Sequence, residues 1–122
     1  MADTLRHLAG TPVLICAPDG APLRGERDAT DLVGDAYSHG AAWIACPVER
    51  LTGEFFQLST GIAGGIVQKF ATYQLGFAVI GDVSHHTAAS SALRDFVRES
   101  NRGTQLWFVA DTDALLARLA RR

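Results

Sequence analysis

Near-continuous apolar runs at Val13–Ala17, Ala41–Cys46, Phe77–Ile80 and Leu106–Ala110 punctuate the chain. Between them, apolar residues recur at helical spacing. Short apolar runs bounded by Gly, Pro and Asp fit strands buried on both faces, as in a parallel sheet. Three of the runs open into a loop bearing an acid, namely Asp19, Asp82 and Asp111. That is the pattern of an α/β protein whose loops and helix starts gather along one sheet edge.

The local signals fill in the order. Leu5–Leu8 and Val13–Ala17 flank Ala9-Gly10-Thr11-Pro12, which predicts a hairpin with Gly10 free to take a positive φ. Asp28 is the expected cap of a first helix with Ala29, Leu32, Val33, Ala36 and Tyr37 inward, ended by Gly40. Pro47 stops the strand Ala41–Cys46 or displaces it to an edge. A second helix runs from about Thr60 to Tyr73, a third from about Ala88 to Asn101 burying Ala89, Leu93, Phe96 and Val97. A fourth follows Asp111 or Thr112, with Leu115, Leu116 and Leu119 inward. Gly61, Gly64 and Gly65 in the first turns of the second helix imply that the sheet or a ligand approaches closely there, since interior glycine costs about 1 kcal/mol against alanine. The order is ββαβαβαβα: one domain over residues 1–122, with a mixed, mostly parallel five-stranded sheet and the Phe77 strand central.

Composition narrows the function. The 122 residues carry a net charge of −2, and their basic residues are ten Arg and the single Lys69. Neither a nucleic-acid nor an anionic-membrane footprint results. No apolar stretch approaches the ~20 residues of a spanning helix. Met1–Gly10 has no apolar core of a secretory leader, so a cytoplasmic location is expected. Cys16 and Cys46 lie inside expected strands without metal or redox spacing, and are read as buried thiols. No cofactor is implied.

A hairpin followed by repeated helix–strand units resembles the STAS, or SpoIIAA-like, fold of anti-sigma factor antagonists. In that family a Ser or Thr followed by Gly opens the second helix as the regulatory phosphorylation site. Ser59-Thr60-Gly61 occupies the equivalent place, with Leu58 where the family has an acid. Over nearly the whole chain the sequence is more similar to a family known as domain of unknown function 4180, common in actinobacteria. The likeness is carried by Gly81-Asp82-Val83-Ser84, by the stretch from Ser91 to Gly103, by Pro47-Val48-Glu49-Arg50-Leu51 and by Gln68-Lys69-Phe70. It implies a fold and a cytoplasmic location rather than a reaction.

Ligands of parallel sheets bind beyond the strand carboxyl ends, where chain order reverses. That edge should hold Asp19, Glu49, Ser59, Thr60, Asp82, Ser84, His85 and Asp111. Ser59, Thr60, Gly61 and Ser84 are the candidates for binding a small anion or for phosphorylation. For Ser59, Asp82, Ser84 and Asp111 the simpler expectation is helix or turn capping. Asp82, His85 and Glu49 are the candidates for acid–base catalysis, though no nucleophile is paired with them. The acid trio lacks the adjacent acid pair and following lysine of receiver-like sites, so no metal is assigned. Arg94, Asp95, Arg98, Glu99 and Arg102 form the outer face of the third helix, with Arg98 and Arg102 the candidates for contacting a partner. Trp43 and Trp107 read as core. The leading expectation is a STAS-like regulatory or ligand-binding domain acting on a protein or small anion. The alternatives are a small enzyme or accessory protein of specialised metabolism using Asp82 and His85, and a structural homodimer.

Overall fold

The computed structural model describes residues 3–122. Strand β1 (Thr4–Leu8) turns back into β2 (Thr11–Ile15), with Thr4 opposite Ile15 and Leu8 opposite Thr11. The turn is Ala9-Gly10 alone, with φ of 52° and 80°. Two left-handed residues match the right-handed twist of the strands, so the turn is tighter than the four-residue loop expected. Then come α1 (Glu26–His39), β3 (Trp43–Pro47), α2 (Ile62–Thr72), β4 (Gly76–Ile80), α3 (Ser84–Ala89), α4 (Ser91–Arg102), β5 (Leu106–Val109) and α5 (Thr112–Arg121). Three 3₁₀ turns fill residues 48–60 between β3 and α2.

The sheet is ordered β1-β2-β3-β4-β5, antiparallel at the first pair and parallel in the others. The expected mixed, mostly parallel five-stranded α/β fold is therefore present. Its middle strand is β3 rather than the Phe77 strand, which is flanked by β3 and β5. Pro47 ends β3 opposite Ile80 and does not move it to an edge, because a terminal proline removes no interior ladder bond.

Because each parallel strand lies beside the one before it, successive right-handed crossovers fall on the same face. Leu32 and Ala36 of α1, Ile66 and Phe70 of α2 and Leu93 of α4 pack there on Leu14, Ile44, Phe77, Val79 and Phe108. The other face carries Val13, Trp43, Ala45, Ala78 and Trp107, covered by Leu115 and Leu119 of α5. Alternate residues of β3 thus serve opposite cores, which is why its sequence reads as one apolar run. Trp43 and Trp107 pack against each other with ring centroids 4.3 Å apart and planes tilted by 31°.

Several boundaries shift for local reasons. α1 begins at Glu26 behind Gly25, and Asp28 instead accepts the Arg24 N–H at 2.8 Å. The expected third helix is two helices, broken at Ser90, whose extended backbone lets its hydroxyl accept the Leu93 N–H at 3.1 Å. Ala89 is consequently exposed rather than buried. Tyr37 and Leu116 also face outward, Tyr37 donating its hydroxyl to the Tyr73 carbonyl at 2.8 Å.

The glycine expectation in α2 fails in part. A Cβ on Gly64 would meet nothing within 4 Å, whereas one on Gly65 would lie 3.0 Å from the Glu26 side chain. At Gly65 it is helix α1, not the sheet, that makes the close approach. Gly64→Ala is accordingly expected to stabilise the protein by about 0.5–1 kcal/mol, the propensity difference alone, read from the midpoint of urea unfolding.

Candidate functional site

Beyond the carboxyl ends of β4 and β5 the chain leaves an open cleft of about 520 Å³. No reversal of chain order creates it, since the sheet has none. It forms because the loop after β4 and helix α4 diverge from the end of β5. Gly81 starts the divergence with a φ of 135°, and a Cβ there would lie 2.8 Å from a Val48 methyl. Asp82, Val83, Ser84 and Thr87 form one wall, Arg94, Val97 and Arg98 the other, and Phe108, Val109 and Ala110 the floor.

The polar groups are arranged unequally. Asp82 accepts the Ser84 N–H at 2.8 Å, the Asx turn that launches α3. Hydrogen bonds from the Ser84 hydroxyl and backbone hold its carboxyl below the ordinary aspartate range, so it is charged at neutral pH. Across the cleft, Arg94 and Arg98 are separated by one helical turn and point from the same face of α4. Arg98 makes a loose contact of 3.6 Å with Asp95, both side chains exposed, while Arg94 has no ion pair among the described residues. An exposed pair of that length contributes little and is readily exchanged for a ligand anion.

The other expected site residues are elsewhere. Ser59 and Thr60 lie in a 3₁₀ turn that does not line the cleft. Gly61, left-handed at φ 77°, is the residue before α2. The Thr60 hydroxyl lies 2.8 Å from the Gln57 carbonyl, to which it donates, and accepts the Ile62 N–H at 3.2 Å, while Ser59 caps nothing. Asp111 caps α5, accepting the Ala114 N–H at 2.8 Å. Glu49, His85 and Asp19 are exposed and outside the cleft. His86 instead stacks on Phe56, ring centroids 3.9 Å apart and 4° from parallel, which fastens α3 to the 3₁₀ segment. Arg102 pairs with Glu99 at 2.9 Å and faces solvent. Among the described residues no group of three or more His, Cys, Asp or Glu could hold a metal ion.

A second polar centre lies inside the fold. Arg50, only 7% exposed, donates Nε to the Ala21 carbonyl at 2.9 Å and Nη1 to Asp3 at 2.9 Å. A Cβ on Gly20 would collide with the guanidinium at 2.7 Å, so the loop over it requires glycine. Cys16 and Cys46 are free and buried nearby. Burial pushes the Cys46 thiol up to about 12 and the Cys16 thiol up as well, leaving both protonated and unreactive. In the sequence Arg50 stands out only as part of Pro47-Val48-Glu49-Arg50-Leu51, one of the stretches that carry the family likeness, and nothing local marks it as buried.

A ligand-sized cleft beyond a singly wound, mostly parallel sheet defines a small α/β protein in which two arginines face a fixed carboxylate. The chain belongs to the family described as Domain of unknown function (DUF4180), whose model matches residues 8–119. No curated protein and no solved structure matches the chain significantly. Among the described residues, no helix is long and apolar enough to cross a membrane.

Proposed function

We propose that this protein is a binding domain for a small organic anion, held in the cleft between the Gly81–Thr87 segment and α4. The observation that carries the reading is the pairing of Arg94 and Arg98 with an apolar lining of Val83, Val97 and Phe108 in about 520 Å³. Guanidinium groups bind carboxylate or phosphate through charge-assisted hydrogen bonds. The floor takes an apolar body, and the few convergent polar groups set its orientation. Asp82, held ionised, repels a second anionic group and accepts from an N–H or O–H of the ligand. The ligand class is therefore an anion at one end only, with an apolar middle and a hydrogen-bond donor.

The catalytic alternative has less support. Asp82 lines the cleft but His85 does not, and the Ser84 hydroxyl that bonds Asp82 has no imidazole beside it in the cleft lining. Association without chemistry needs only the groups present.

The test is a titration with phenyl phosphate and with benzoate, followed by amide chemical shifts. Perturbation should centre on residues 81–87, 97–98 and 108–110. Arg94→Ala and Arg98→Ala should each weaken binding roughly tenfold or more, the effect of losing a charge-assisted hydrogen bond. Perturbation of residues 81–87, 97–98 and 108–110 that survives removal of both arginines would defeat the reading.

A further inference from the structure

At the other end of β5, the residues preceding the strand meet the end of α5 around a second pocket of about 320 Å³, lined by Gly103, Thr104, Trp107, Arg118, Arg121 and Arg122. Three cations line it, and among the described residues no Asp or Glu side chain lies within ion-pair distance of any of them. On α5, Arg118 has Arg121 as its neighbour one turn on, with Arg122 next to it just past the helix end, an arrangement of like charges that is unfavourable in itself. Crowding of Arg121 against Arg118 accordingly adds to the desolvation that lowers the Arg118 pKa.

Two of the three guanidinium groups are already held. Arg118 lies 4.3 Å above the Trp107 ring and donates Nη2 to the Asn101 carbonyl. Arg122 donates Nη2 to the Thr11 hydroxyl at 3.1 Å. Each keeps further N–H donors, and their immobilisation has been met by folding rather than by binding. Arg121 and Thr104 are both exposed where they line the pocket. The Trp107 indole donates to the Gly103 carbonyl at 2.8 Å, closing the floor.

We propose that this pocket is a binding site for the phosphate monoester group of a small molecule, separate from the cleft at the other end of the strand. A dianion relieves the mutual repulsion of the arginines, and its oxygens suit the donor forks of guanidinium groups better than a single carboxylate does. The site rests on none of the residues that carry the proposed function, so the two stand or fall separately.

Inorganic phosphate is the probe, titrated against potassium chloride at matched ionic strength while amide and indole N–H shifts are followed. Phosphate should perturb Gly103, Thr104 and the Trp107 indole, and chloride should not. Arg121→Glu and Arg122→Glu should each weaken the response roughly tenfold or more, with the near-ultraviolet circular dichroism of the tryptophan pair unchanged. Arg98→Glu should leave it intact. Equal responses to chloride, responses confined to residues 81–87, or a response unaltered by both α5 substitutions would each overturn the proposal.

Discussion

Gly76→Ala is expected to destabilise the protein by about 3 kcal/mol or more, because the new methyl would have to occupy the Trp43 indole. The added Cβ would lie 2.1 Å from one indole carbon and 2.2 Å from another. Gly76 is opposite Trp43 in the β3–β4 register, and the indole lies across β4 where a side chain would stand. The ring cannot swing aside cheaply, since it is packed against Trp107 and 2% exposed. For a chain of this size the loss should lower the melting temperature by roughly 10 °C. Trp43→Leu made in the Gly76→Ala background should recover part of the loss, giving a non-additive cycle of about 1 kcal/mol or more. Strict additivity would mean that the strand, not the ring, rejects the methyl.

That contact also shows what the sequence does not reveal. The apolar runs identify four strands, because residues buried on both faces cannot be polar. They do not say which face each residue serves, and the fit of Trp43 over Gly76 is a statement about faces. Helix ends read poorly where the determinant is a single backbone angle: Gly25 rather than Asp28 precedes α1, and Ser90 splits the third helix. Sheet order is set by how each crossover packs, information absent from any one segment.

The candidate site was legible in parts. The Gly81–Ser84 turn and the arginines of α4 are both visible as local patterns. Spacing shows that Arg94 and Arg98 share a helix face, but not that this face leans over the end of β5. Arg98 therefore reads as a partner contact until α4 is placed, and Arg94 as solvated surface. Ser59-Thr60-Gly61 shows the opposite case. Its composition is that of a helix opening, yet the 3₁₀ turns of residues 48–60 carry it away from the cleft.

Arg50→Ala is expected to cost about 3–5 kcal/mol, the range for breaking a buried ion pair by removing one member. Its guanidinium ties three separated segments: Asp3 ahead of β1, the Ala17 and Ala21 carbonyls, and its own loop after β3. Removal takes the Nε donor from the Ala21 carbonyl, leaves the Ala17 carbonyl only the Gly20 N–H at 3.1 Å, and opens space beneath Gly20. The Leu23 N–H also bonds the Arg50 carbonyl at 2.6 Å, so the 18–23 loop is fastened through both backbone and side chain. Arg50→Lys should recover little of the loss, because one ammonium cannot reproduce donors at Nε and Nη1 that point in different directions. Asp3→Asn should cost less than Arg50→Ala, since an amide oxygen can still accept from Nη1 and from the Ala17 N–H that Asp3 now binds at 2.8 Å. Urea unfolding of the three variants checks the order Arg50→Ala, Arg50→Lys, Asp3→Asn from most to least destabilised. A lysine as stable as the native arginine would show that charge alone, and not the geometry of the fork, holds the loop against the sheet.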